Sequence, residues 1–283
     1  MAKIRDLLSQ KGLAVTVCAY DALSAVMIEK AGFDLIAIGG LPVAAAELAM
    51  PDIGLLTSSE IIHRATTIAQ TVSVPVLCDI DTGFGGVNNV WRTVRELEAG
   101  GLSGAQIEDQ TFPKRCGYLA GKDVIPVEDY LKKLKVALDA RTSRDFVIIA
   151  RTDCKESLGM DEVIRRLNIY ADAGADIAMS GSIHTLDEYK RIAKEVSIPV
   201  NAIAPSDPSE FVRSDWEKTG VKIVAIFGVP LFAAMKATTK ALEMLKNEGT
   251  LKPMEDGFFT YDEYAEVVKL SQWSRREEKY NQG

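Results

Sequence analysis

Eight short apolar runs recur along the chain, and a longer amphipathic stretch follows each. The runs are Ala14–Ala19, Leu35–Ile38, Val76–Ile80, Ala105–Glu108, Val147–Arg151, Ile177–Ser180, Val200–Ile203 and Ile223–Phe227. Consecutive apolar positions over about four to six residues mark strands buried on both faces of a parallel sheet. The stretches between them predict helices, among them Asn89–Ala99, Val127–Arg141, Asp161–Ala173, Leu186–Val196 and Pro230–Lys246. Asp161 is the expected N-cap of its helix, and Gly174 and Gly32 mark expected helix ends. Eight strand–helix units in succession count out an α/β (β/α)₈ TIM barrel; a doubly wound open sheet fits so regular a series less well. Such a barrel takes roughly 250 residues, and the chain has 283. No linker or low-complexity tract interrupts the series, so one barrel domain is expected over residues 1–255. A helical extension is expected over 256–283, with a helix at Tyr261–Trp273 and a charged end from Arg275 to Lys279. That extension reads equally as a solvated tail or as a helix packing on another subunit.

Composition narrows the function classes. A net charge of −7 argues against a broad nucleic-acid surface, which needs excess Lys and Arg to neutralise phosphates. No run of about 20 apolar residues is present, so no membrane-spanning helix is expected. The first residues lack the apolar stretch of a signal peptide. Cys18, Cys78, Cys116 and Cys154 form no CxxC pair and are expected as free thiols in a cytoplasmic protein.

In a barrel the chemistry sits at the C-terminal ends of the strands. Those ends carry Tyr20-Asp21, Gly39-Gly40, Asp79-Ile80-Asp81, Glu108-Asp109 and Arg151-Thr152-Asp153. Asp79 and Asp81 are two apart, so on an extended strand both would point to one side. With Glu108 from the next strand they make an oxygen-only set that suits Mg²⁺, with Mn²⁺ as an alternative. Zinc is disfavoured because the two histidines, His63 and His184, lie away from strand ends. Arg151 is the expected carboxylate anchor, since its fork matches two oxygens. The amides of Gly39 and Gly40 could hold an anion, although Gly-Gly is more often only a turn. No lysine ends a strand, which disfavours a Schiff-base aldolase. The loop Lys114-Arg115-Cys116-Gly117-Tyr118-Leu119-Ala120-Gly121-Lys122 carries a cysteine between basic residues, expected to lower its pKa, and glycines that would let it move as a lid. By composition alone an ordinary basic surface loop explains it as well.

Five segments together resemble the isocitrate lyase/phosphoenolpyruvate mutase superfamily: Ala19-Tyr20-Asp21-Ala22, Cys78 to Gly86, Ile107-Glu108-Asp109-Gln110, Lys114-Arg115-Cys116-Gly117 and Ile149 to Asp153. The resemblance is densest from Tyr20 to Asp153 and is similar to the short-chain branch. That branch holds methylisocitrate lyase, dimethylmalate lyase, carboxyphosphonoenolpyruvate mutase and oxaloacetate decarboxylase. The resemblance implies that Asp79, Asp81 and Glu108 hold Mg²⁺, and that Tyr20, Gly39, Gly40 and Arg151 cradle a 2-oxo acid. It implies a general-acid role for Cys116 with Gly117 beside it, and roles for Lys114 and Arg115 in tuning the thiol and drawing in a second carboxylate. It also implies a last helix swapped between subunits of a dimer or tetramer.

Three departures stand out. Tyr118 replaces the lyases' histidine after Lys-Arg-Cys-Gly, Gly181 stands where they carry a glutamate, and Ile203 stands where they carry an asparagine. The metal and 2-oxo acid half of the resemblance is intact, and the half facing the rest of the substrate is altered. The expected activity is therefore a Mg²⁺-dependent carbon–carbon lyase acting on a small 2-hydroxy di- or tricarboxylate, with Tyr20 as candidate base. Oxaloacetate decarboxylation, phosphonate P–C chemistry and a non-catalytic carboxylate-binding barrel are the alternatives.

Overall fold

Each apolar run folds as a strand within one residue of its expected ends. The strands are β1 (Ala14–Ala19), β2 (Ile36–Ile38), β3 (Val76–Asp79), β4 (Gly104–Glu108), β5 (Val147–Thr152), β6 (Ile177–Ser180), β7 (Val200–Ile203) and β8 (Ile223–Ile226). In the computed structural model, which describes residues 4–10 and 12–281, they pair in parallel in chain order and close into a barrel. Closure comes from β1 beside β8, with Ala14 opposite Ile223. The expected domain limits at residues 1–3 and 282–283 lie outside the described residues.

Aliphatic side chains from the strand starts fill one end of the barrel. Leu35, Val147, Ile149, Ile177, Met179 and Ile223 form one buried cluster with Ile4 of the short helix Ile4–Ser9. Full burial of one such side chain contributes about 1.5–3 kcal/mol. That helix covers the end where the strands begin, so the opposite rim is left for chemistry. Register fixes what meets there: Asp79 pairs with Gln106, Glu108 with Arg151, and Thr152 with Ser180.

Three local expectations are corrected. Gly159, at φ 81°, rather than Asp161 caps the helix Met160–Asp172, because a four-residue helix, Lys155–Leu158, ends against it. Asp161 lies in the first turn, where a carboxylate favours the helix dipole. The strand at Asp79 ends earlier than the apolar run because Asp81 takes a left-handed turn (φ 49°), its amide donating to Asp79 Oδ1 at 3.0 Å. The tail helix is two helices, Tyr261–Val267 and Leu270–Asn281, separated at Lys269, also left-handed at φ 57°.

The chain divides into two compact units, one ending at Leu231 and holding the barrel strands, the other starting at Phe232 and helical. No described helix is long and apolar enough to cross a membrane.

Candidate active site

The turn at Asp81 decides how β3 delivers its carboxylates. With Asp81 outside the strand, simple alternation does not place it beside Asp79. Its position comes instead from the loop after β4, where Lys114 Nζ lies 2.7 Å from Asp81 Oδ1 and 2.5 Å from Asp52 Oδ1. Lys114 is only 3% exposed, so it is an internal cation and not part of a basic surface loop. The same loop is held down by Cys116, whose amide donates to the Asp52 carbonyl at 3.0 Å.

Arg151, at the end of β5, spends its fork inside the protein. Its Nη2 donates to Asp153 Oδ1 at 3.0 Å, its Nε lies 2.8 Å from Asp153 Oδ2, and its Nη1 is 3.2 Å from Glu108 Oε2. Asp79 Oδ2 is 3.7 Å from the same Nη1. Arg151 therefore reaches the site already paired, rather than as the free anchor expected from the sequence. Asp109, next to Glu108, is a structural acceptor. It receives bonds from the Asp153 amide, Thr152, Arg166 and Tyr170 at 2.7–3.0 Å, tying β4 to β5.

Two cations thus face five carboxylates: Asp52, Asp79, Asp81, Glu108 and Asp153. Burial raises the pKa of Asp79 and Glu108 and takes Asp81 to about 7, against the opposing pull of Arg151 and Lys114. Neither Glu108 oxygen accepts a hydrogen bond. Among the described residues no three His, Cys, Asp or Glu side chains are spaced to hold a metal ion as they stand. The Lys114 ammonium and the Arg151 guanidinium lie among the expected ligands instead. The excess of buried negative charge and the Glu108 oxygens, which accept no hydrogen bond beside the Arg151 ion pair, nevertheless fit an oxygen-bound divalent cation.

A cavity of about 30 Å³ opens among Asp79, Cys116, Gly117, Arg151 and Gly40, with Asp52 and Phe227 also on its wall. A Cβ would crowd a neighbouring side chain at Gly40 and Gly117 on this wall and at Gly39 beside it. A Cβ at Gly39 would lie 2.8 Å from Phe227 Cε1, one at Gly40 2.6 Å from Asp52 Oδ1, and one at Gly117 2.9 Å from Arg151 Nη2. Gly40 also begins the helix Gly40–Leu48, which brings helix N-terminal amides to the cavity. Tyr20 and Arg115 do not line it. Burial and the adjacent Asp21 push the Tyr20 hydroxyl up, and Arg115 is on the exposed side of the loop.

Burial also pushes the Cys116 thiol up, outweighing the Tyr118 amide and the pull of Lys114, which is the reverse of the sequence expectation. A protonated thiol suits a proton donor rather than a nucleophile. Iodoacetamide labelling of Cys116 is expected to be slower than that of free cysteine at pH 8 and still accelerating above pH 9. A rate that levels off below pH 8, followed by peptide mass spectrometry, would refute this.

Asp52, which the sequence reading did not single out, and two residues of the loop to which it gave no such contact complete the site. Lys122 clamps the loop shut: its Nζ donates to the Gly117 carbonyl at 3.2 Å, to the Leu119 carbonyl and to Glu156 Oε1 at 3.2 Å. Asp52 comes from a loop after a helix, where the strand-end rule gives no signal. The Tyr118 hydroxyl donates to the Ala204 carbonyl at 3.1 Å and its ring meets Phe227 edge-on.

A closed eight-stranded barrel with its polar groups on the C-terminal rim places the protein among the (β/α)₈-barrel enzymes. The phosphoenolpyruvate phosphomutase family model matches residues 4–246. The chain is 36% identical to 2,3-dimethylmalate lyase of Eubacterium barkeri, over 100% of this chain and 98% of that one. It superposes on oxaloacetate acetylhydrolase bound to 3,3-difluorooxalacetate with a TM-score of 0.91 and 29% identity, covering 99% and 96% of the two chains. A phosphonopyruvate hydrolase complex with oxalate and Mg²⁺ gives 0.88 and 30%, covering 98% and 97%. The chain belongs to the phosphoenolpyruvate mutase family, within the isocitrate lyase/phosphoenolpyruvate mutase superfamily, and is an enzyme of that superfamily.

Proposed function

We propose that the protein is a divalent-metal-dependent carbon–carbon lyase. It cleaves a 2-hydroxy di- or tricarboxylate, of the dimethylmalate or methylisocitrate kind, to a 2-oxo acid and a carboxylate. The observation that carries this reading is the buried Cys116 thiol, its pKa raised by burial, on the same cavity wall as Asp79 and Arg151. The relatives that cleave 2,3-dimethylmalate and bind oxalate with Mg²⁺ support it.

The amides at Gly39 and Gly40 hold the carboxylate of the 2-oxo acid half. The C2 hydroxyl gives its proton to a water, the C2–C3 bond breaks, and its electron pair passes into the adjacent carboxylate as an aci-acid. Cys116 then gives its Sγ proton to C3, and the hydroxyl proton replaces it on sulfur. Asp79, Asp81 and Glu108 would hold Mg²⁺ or Mn²⁺, which when bound supplies Lewis-acid polarisation of the developing 2-oxo group. Lys114 and Arg151 position the buried carboxylates and oppose the upward push of burial on their pKa values. Tyr20, the candidate base, lies off the cavity wall, and burial pushes its hydroxyl up.

With Mg²⁺, a panel containing 2,3-dimethylmalate and 2-methylisocitrate is expected to release pyruvate. EDTA should lower the rate and excess Mg²⁺ restore it. Turnover of oxaloacetate alone, or of a phosphonate alone, would replace this reading. A homo-oligomer belongs to the same proposal, supported by Phe258, Phe259, Trp273 and Tyr280, exposed aromatics of the second unit that association would cover.

A further inference from the structure

The cavity at Cys116 has room for about one water molecule. Beyond one of its walls lies a second cavity of about 330 Å³, within the usual range of small-molecule sites. Gly117, Tyr118 and Ile203 line both. Tyr118 is the partition. It is 37% exposed, and its side-chain hydrogen bond goes to the Ala204 carbonyl.

The second cavity has a rigid base. The Tyr189 hydroxyl both donates to the Ile203 carbonyl (3.1 Å) and accepts from the Ile203 amide (2.9 Å), and its ring packs on Trp216 at 5.1 Å. Ile183, Ile203 and Val212 give it apolar surface, and Thr185 and Ser206 add hydroxyls. Its charged lining is acidic, from Glu210 and Asp215, and no Lys or Arg lines it. Asp215 is paired with Lys218 at 2.9 Å and His184 also lines the cavity, but the wall itself offers an entering carboxylate no lysine or arginine.

We infer that this cavity receives an extended, uncharged arm, alkyl or aryl, on C3 of a 2-hydroxy dicarboxylate, and that Tyr118 swings aside to join it to the reaction cavity. The inference rests on the lyase reading above and narrows it, away from substrates whose arm ends in a third carboxylate. Ile203, apolar and on the wall of both cavities, is the sequence face of the same choice.

The test is kcat/KM on 2-methylmalates bearing methyl, butyl or 2-carboxyethyl at C3. Wild type is expected to favour butyl over 2-carboxyethyl by at least about tenfold, since buried contacts of one methylene already discriminate about 10–200-fold. Val212→Trp, at a 51% exposed position, should lower the butyl-to-methyl ratio by about tenfold or more. Glu210→Lys should raise 2-carboxyethyl relative to butyl. If the methyl compound is cleaved but neither ratio moves, the arm site is overturned and the lyase reading stands. If none of the three is cleaved while oxaloacetate is, the lyase reading itself fails. Melting curves of both variants separate misfolding from a changed ratio.

Discussion

Replacing Cys116 by alanine is expected to lower carbon–carbon cleavage by about 10²–10⁴-fold, the usual contribution of a positioned proton donor. The cavity gives the reason. Cys116 is 8% exposed, its thiol is held protonated by burial, and it shares a wall with Asp79 and Arg151. The loop itself is anchored elsewhere, by the Cys116 amide on Asp52 and by Lys122, so removing one sulfur should leave it closed. Two readouts separate chemistry from structure. Melting temperature should barely change, and oxaloacetate decarboxylation, which needs no proton from this thiol to break its bond, should survive. An equal loss of both activities would mean that Cys116 only holds the loop.

Replacing Gly181 by alanine is expected to destabilise the protein by about 3–5 kcal/mol, the cost of breaking a buried ion pair. The added Cβ would lie 1.8 Å from Asp153 Oδ1 and 3.3 Å from Arg151 Nη2. Asp153 is fully buried, and its amide is already committed to Asp109, so the carboxylate has nowhere to retreat while keeping Arg151. Arg151 would then face Glu108 and Asp79 without its best partner. A drop on the order of 10 °C in melting temperature follows from that energy for a domain of this size. Restoring the lyases' glutamate at 181 should cost at least as much, because it begins with the same clash. A Gly181→Ala protein that melts like wild type would show that Asp153 can move freely.

Much of the architecture was legible in the amino-acid order. Period and length alone distinguish buried strands from helices, and eight repeats leave few ways to close a sheet. Strand ends then nominate Asp79, Glu108 and Arg151, the family resemblance adds Cys116 from a loop, and these groups do meet at one rim. The exceptions share a cause. Asp52 matters through Lys114 and Cys116, and Lys122 in part through Glu156, partners remote in sequence that no local pattern announces. Asp81 was nominated by an alternation that its own left-handed turn cancels. The basic neighbours of Cys116 promise a lowered pKa only if their charges point at it; Lys114 turns to Asp52 and Asp81, and burial wins.

The sequence by itself determined the barrel, its family and the inventory of acids, arginine and thiol on one rim, because periodicity and motif spacing are local properties. Tertiary structure decided what those groups are: which carboxylates are paired, whether the thiol keeps its proton, and where the cavity opens. Those outcomes depend on desolvation and on contacts across the fold, and neither exists until the chain has closed.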